Sequence, residues 1–207
     1  MQRFTATLVA EGSSDQALVP FIEFVLDAHC TIPHVTTFAN DLPKGALSER
    51  IAQALRLHPC DLLFVHRDAD RATVAEREQE IRDAALTAGK DLAVCVIPVR
   101  MTEAWLLVDP LAIRRAASNP AGNSDLALPS IARLEAQADP KITLFAALES
   151  ASGLGSNRLR RFDRHRARRQ ISGFMEDVSL LRKLPSFQHF EAQVQRFFHQ
   201  AAVSNTC

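Results

Sequence analysis

The sequence contains no tyrosine, so the chain has no phenol to serve as a nucleophile. Its four cysteines, Cys30, Cys60, Cys95 and Cys207, stand far apart with no CxxC pair, which argues against a zinc site and against a secreted disulfide framework. Cys60 and Cys95 fall in apolar runs and read as buried thiols. No apolar run approaches the roughly 20 residues that a membrane helix needs, and Met1–Ala10 has neither the length nor the cleavage pattern of a signal peptide. There is no Gly-x-x-x-x-Gly-Lys-Ser/Thr motif, so the chain is not a self-contained P-loop ATPase. No Ser–His–Asp or Cys–His pattern points to covalent catalysis. Excess charge is missing as well: 24 basic residues face 24 acidic ones, so no global field announces a nucleic-acid or membrane partner, although a local field can. These absences lead to the expectation of a soluble protein in a reducing cytoplasm.

Hydrophobic residues make up 47% of the chain and charged residues 23%, enough to bury a sizeable core. The first half alternates. Phe4–Ala10 reads as a strand, and Asp15–Ala28 as a helix with Ser14 as its N-cap and Pro20 in its first turns. His34–Phe38 reads as a strand and Gly45–Leu57 as a helix stopped before Pro59. Asp61–His66 is a continuous apolar strand of the kind buried on both faces of a parallel sheet. Thr73–Ala88 reads as a charged amphipathic helix ending at Gly89, and Leu92–Val99 as another buried strand. This order predicts an α/β fold, a three-layer core around a mainly parallel four-stranded sheet. After Asp109 the texture changes. Ala116–Pro129 is a Ser/Asn/Gly/Pro-rich loop, and helical patterns follow at Ser130–Gln137, Ile142–Ser150, Arg158–Leu184 and Phe187–Ala202. The expected division is therefore an α/β core over residues 1–112 and a mainly helical extension over 113–207 packed on it.

In parallel sheets ligands gather beyond the carboxyl ends of the strands. Glu11 directly follows the first strand, and Asp68 and Asp70 follow the third. Asp15 lies just after Glu11, and Glu103 a few residues after the fourth strand. The topology is expected to bring these acids to one edge, where crowded carboxylates repel one another unless a cation is present. Mg²⁺ (or Mn²⁺) is the expected cation, because it is hard, prefers oxygen and takes one or two protein carboxylates, leaving room for water and phosphate. Each acid alone also has a structural reading: Asp15 and Glu103 sit near helix starts, where the dipole favours them, and Asp70 could cap the helix beginning near Thr73. His66, at the end of a buried strand, reads more readily as a structural histidine than as a ligand. Trp105, the only tryptophan, reads as core.

The segments LVAEGSSD (residues 8–15) and DLLFVHRDADR (61–71) together resemble the toprim domain shared by topoisomerases, bacterial primases and the overcoming-lysogenization-defect nucleases. That domain pairs a glutamate after its first strand with an Asp-x-Asp after its third. The resemblance puts Glu11, Asp68 and Asp70 in those places, and Asp15 in that of an additional acid of the nuclease branch. VIPVRMTEAWLLVD (96–109), with DPKITL (139–144) and LPSFQHFEAQV (184–194), resembles a family of bacterial toprim-like proteins, domain of unknown function family 4276. Its hallmark Glu-Ala-Trp-Leu-Leu is matched by Glu103–Leu107. The resemblance implies metal binding by Glu11, Asp15, Asp68 and Asp70. Catalysis would fall to Glu11, Asp68, Asp70 and Glu103, with Lys141 in its Asp-Pro-Lys motif as a phosphate contact. Toprim topoisomerases use a tyrosine nucleophile, so a chain without tyrosine cannot take that covalent step by itself.

Arg158, Arg160, Arg161, Arg164, Arg166, Arg168 and Arg169, with His165, crowd residues 158–169 against a single acid, Asp163. Arginine clusters hold phosphates through bidentate hydrogen bonds and counterion release; a solvated helix face with internal ion pairs is the plainer reading. Arg158, Arg160, Arg161, Arg164 and Arg168, together with Arg100 after the fourth strand, are the candidate phosphate or nucleic-acid contacts. Phe187, Phe190, Phe197 and Phe198 fall at helical spacing and read as core rather than as base-stacking groups. The function expected from this pattern is metal-dependent phosphodiester chemistry on nucleic acid, most readily by a toprim-type nuclease acting in phage defence or with a mobile element. The alternative is a non-catalytic module that binds nucleic acid or nucleotide and works with a partner ATPase. Primase-like synthesis is a third reading, for which no separate nucleotide-recognition element is visible. No membrane partner is expected, and a homo-oligomer stays open.

Overall fold

The structure is a computed structural model; it describes residues 3–40 and 42–204, the last four of these by backbone only. The chain forms two compact units, Met1–Ile97 with Gln188–Cys207, and Pro98–Phe187.

The first unit is built on four parallel strands: β1 (Phe4–Val9), β2 (His34–Phe38), β3 (Leu62–His66) and β4 (Ala93–Val96). Their order is β2-β1-β3-β4, so the chain steps from β1 to one side, then crosses to the other. The α/β class, the parallel sheet and the helical region expected from the alternation are all present. β3 is buried at every position, as its uninterrupted Leu-Leu-Phe-Val run requires of a central strand. Three crossover helices link the strands: α1 (Val19–His29), α2 (Leu47–Leu57) and α3 (Val74–Thr87).

One face of the sheet, through Val9, Leu63, Val65 and Cys95, packs on Ile51 and Ala54 of α2 and on Ile81 and Ala85 of α3. Phe64 points to the other face, since alternate residues of a strand face opposite ways. There it meets Phe190 at 6.0 Å in an edge-to-face pair. Phe190 belongs to the C-terminal helix Pro185–Ser204, whose turns from Gln188 onward are part of this unit. Phe197 and Phe198 of the same helix, both half-buried, pack on Phe4, whereas Phe190 is fully in the core.

The start of α3 shows how local sequence sets an element. The Thr73 side chain accepts from the Glu76 N–H, and the Glu76 carboxylate accepts from the Thr73 N–H at 2.7 Å, a reciprocal cap that holds the Glu76 carboxyl below its usual range. Thr73, not Asp70, is therefore the cap. Gly89, at φ +80°, ends the helix in the left-handed conformation that glycine adopts without strain.

β4 is an edge strand, and its unpaired backbone is covered by a side chain. Gln193 accepts from the Cys95 N–H at 3.0 Å and donates to the Cys95 carbonyl at 3.3 Å, so its amide imitates a neighbouring strand. Burial pushes the Cys95 thiol up to about 12, as an inert core group. Gln193→Ala leaves both Cys95 backbone groups without these partners. It is expected to cost about 1–3 kcal/mol in urea denaturation, and Gln193→Glu, which keeps the acceptor but sets a second carboxylate against Glu78, should not recover the loss.

The second unit is helical: α4 (Glu103–Leu106), α5 (Pro110–Ala116), α6 (Pro140–Ser152), α7 (Ser156–Leu159) and α8 (Arg164–Phe174). The expected boundary after residue 112 differs from this division. The Glu-Ala-Trp-Leu-Leu stretch belongs to the helical unit because α4 packs on α6 and α8. From Gln188 onward the C-terminal helix belongs with the sheet because Phe190, Phe197 and Phe198 find their partners there. Ser130–Gln137 holds only a single turn of 3-10 helix, Ile131–Arg133. Arg158–Leu184 is not one helix: the chain breaks after Leu159, restarts at Arg164 where Asp163 caps the Arg166 N–H at 2.9 Å, and stops again after Phe174. Trp105 is fully buried, donates to Ser186 Oγ at 2.8 Å and meets Phe187 edge-on. Among the described residues no helix is long and apolar enough to cross a membrane.

Candidate functional site

In the first unit the strand order makes β1 and β3 neighbours, with Val9 paired to Val65. Two residues further on, Glu11 and Arg67 leave the sheet side by side. The gap between β1 and β3 is where the connections reverse direction, the position at which open α/β sheets bind ligands. The sheet thus delivers Glu11 on one side of that gap and Asp68 and Asp70 on the other.

The acids there are met by arginines. Arg67 Nε lies 2.6 Å from Glu11 Oε1, as an ion pair rather than an aligned hydrogen bond, and Arg67 Nη1 lies 2.9 Å from Glu80 Oε1. The other Glu80 oxygen is 2.7 Å from Arg77 Nη1, and Arg77 Nη2 is 3.7 Å from Asp70 Oδ2. Glu11, Arg67, Glu80, Arg77 and Asp70 therefore form one ladder of alternating charge. The hydrogen bond that Arg77 donates to Glu80, with the added fields of Asp70 and Glu11, raises its guanidinium further above its already high range. Arg77 and Glu80 escaped the sequence reading. Their i, i+3 spacing on the first turns of α3, directly after Asp-x-Asp, was the available signal.

Asp70 stands at φ +50° in the turn closed by the Ala72 N–H to the Ala69 carbonyl. Aspartate tolerates this left-handed conformation better than most residues. The turn leaves Asp70 exposed, whereas Asp68 is partly covered. Next to Asp68 the buried His66 donates from Nδ1 to the Val96 carbonyl at 2.9 Å, since a carbonyl only accepts. Its Nε2 lies 3.5 Å from Asp68 Oδ1 and 3.9 Å from Asp15 Oδ2. Asp15 is buried, and its Oδ2 also accepts from the Gly12 N–H at 3.0 Å, which fixes the loop carrying Glu11. His66 is thus held at the end of β4, and Asp15 and Asp68 approach one nitrogen.

Beyond Glu11 a hollow of about 180 Å³ opens between the ends of β1 and β2, lined by Gly12, Ser13, Asn40 and Arg50. Arg50, from α2, donates to the Ala10 carbonyl. Asn40 and Arg50 are further polar groups at this edge that the sequence reading did not single out.

The residues suit Mg²⁺ in kind: carboxylate oxygens at adjacent strand ends, in excess of the one or two that the ion normally takes from protein. Their side chains do not gather into a cage. Among the described residues no three His, Cys, Asp or Glu side chains are grouped closely enough to hold a metal ion.

The second unit corrects two expectations. Glu103 is not open to a ligand. It is 4% exposed and accepts from Arg168 Nε at 2.8 Å, and Arg168 is itself 5% exposed. A carboxylate and a guanidinium taken out of water together must pair, so Arg168 is not an open phosphate contact either. Arg164 pairs with Glu149 at 3.2 Å and lies 4.8 Å over the Phe145 ring; Lys141 Nζ is 6.0 Å from the same ring. The structure thus brings Lys141 and Arg164 together on Phe145. Arg100, at φ +67°, Arg158, Arg160 and Arg161 are exposed.

No protein-family model, no curated protein and no solved structure matches the chain.

Proposed function

We propose that the protein performs divalent-metal-dependent phosphodiester chemistry on nucleic acid, as a toprim-like nuclease. One observation carries the reading: Glu11 and the Asp68/Asp70 pair leave the carboxyl ends of adjacent parallel strands on either side of the point where the sheet connections reverse. Bound there, Mg²⁺ would supply charge neutralisation at a phosphate and a lowered pKa for attacking water. Asp68, Asp70 and Glu11 would be its ligands, with Asp15 holding the Gly12 loop in place. Arg67 and Arg77, displaced from those acids, would meet phosphate oxygens instead.

The charge ladder favours a second reading, a binding module whose acids are neutralised by its own arginines and which acts beside a partner ATPase. Incubation of the pure protein with plasmid, single-stranded DNA and RNA in Mg²⁺, in Mn²⁺ and in EDTA separates the two. The nuclease reading expects cleavage with either metal and none in EDTA. Retained binding without cleavage under every condition supports the module and sinks the nuclease.

A further inference from the structure

The seven arginines between residues 158 and 169 are sorted by the fold into different tasks. Arg168 is consumed by the buried pair with Glu103, and Arg164 by Glu149 and the Phe145 ring. Among the described residues no carboxylate lies within ion-pair distance of Arg158, Arg160, Arg161, Arg166 or Arg169. Three of these five line a single hollow of about 530 Å³ within the helical unit, together with Arg115, Phe162 and Phe174.

The break between α7 and α8 makes this hollow. In one continuous helix Arg158 and Arg166 would lie about 12 Å apart along the axis, giving a stripe of charge suited to an extended phosphate backbone. Interrupted at residues 160–163, the chain instead folds Arg158, Arg161 and Arg166 around a common space. Its size is that of a small-molecule site.

The charge balance defines the ligand. Arg115 is offset by Glu176 at 2.7 Å and donates to the Phe174 carbonyl at 3.3 Å, which fixes the rim. Asp163 is the acid in the lining. Its carboxylate accepts from the Arg166 N–H, which holds it below its usual range, so it stays ionised and cancels one guanidinium. The excess in the lining is positive, which calls for a compact polyanion. Phe174, 38% exposed, lines the same hollow and offers an aromatic face on which a planar group can stack. Ser118 and Gln170 add hydrogen-bonding groups for a polar edge.

We propose that this hollow binds a nucleoside 5′-polyphosphate, with Arg158, Arg161 and Arg166 on the phosphates and Phe174 against the base. The site lies wholly within the helical unit and is independent of metal at the sheet edge.

The test is calorimetric titration of the full chain with ATP and with inorganic tripolyphosphate, in EDTA so that no divalent ion occupies the acids. Saturable ATP binding is expected, weaker binding of tripolyphosphate, and a gap between them that Phe174→Ala narrows. Arg161→Ala and Arg166→Ala, both at exposed positions, should each weaken ATP binding about tenfold or more. Arg160→Ala, outside the hollow, should not, and neither should Asp68→Ala. Far-UV circular dichroism of each variant controls for folding. Absence of saturable ATP binding up to about 1 mM, or binding indifferent to Arg161→Ala and Arg166→Ala, overturns the proposal. So does a single-stranded oligonucleotide that alone depends on these arginines. Loss of the nucleotide site with metal-dependent cleavage intact would count against this hollow only; the converse would count against the nuclease only.

Discussion

Glu103→Ala is expected to destabilise the helical unit by about 3–5 kcal/mol, the usual consequence of leaving one member of a buried ion pair without its counter-charge. Glu103 and Arg168 are 4% and 5% exposed and meet at 2.8 Å. Removing the carboxylate takes a charged partner from a guanidinium that is itself buried. The reverse change, Arg168→Ala, leaves a buried carboxylate and should cost a similar amount. The double variant Glu103→Leu/Arg168→Met removes both charges at similar volume and is expected to recover most of the loss, because the desolvation penalty disappears with the attraction. Trp105 makes this measurable. It is the only tryptophan, it is fully buried, and it lies in the same unit, so its fluorescence in urea reports the unfolding of that unit rather than of the sheet. A single-variant cost below about 1 kcal/mol, the range of exposed pairs, would show that the charges are not sequestered.

That pair also marks where sequence reasoning stopped. The strands were legible because a parallel sheet buries its central strands on both faces, so Leu62–Val65 could hardly be anything else. The acidic edge was legible because residues just past such strands have one place to go. Glu103 was misplaced because its fate depends on Arg168, 65 residues away, and no local pattern carries that distance. The arginine-rich segment was read as one helix for a related reason. Asp163 looked like a lone opposing charge, whereas its work is to cap α8 after a break that the dense arginines concealed. Asp70 was misread as a candidate cap because Thr73 and Glu76 do that task reciprocally. Short-range chemistry of that kind is present in the sequence. The same is true of Arg77 and Glu80.

The second large effect concerns Asp68. If the acids bind a divalent ion, Asp68→Ala should lower metal-dependent cleavage by roughly 10²-fold or more, since the ion's charge stabilisation is worth several kcal/mol and each 1.36 kcal/mol is about tenfold in rate. Asp68 is the more informative target than Asp70: it is the less exposed and lies 3.5 Å from His66 Nε2. Asp68→Asn keeps the shape and removes the charge, so equal losses in the two variants would assign the effect to charge. Arg67→Ala should act in the opposite direction on binding. It releases Glu11 from a guanidinium at 2.6 Å and leaves the edge more negative. A unit charge a few ångströms away at a surface is worth about 1–4 kcal/mol, so Mn²⁺ affinity should rise about tenfold or more, read by calorimetry or by the thermal shift that the ion confers. Cleavage need not follow, because under the proposed function the same arginine would meet phosphate. A gain in Mn²⁺ binding with Arg67→Ala and a loss with Asp68→Ala would identify arginine and metal as competitors for one set of carboxylates. Mn²⁺ binding indifferent to both substitutions would remove the metal from this edge and leave the ladder as a structural device that joins α3 to the ends of β1 and β3.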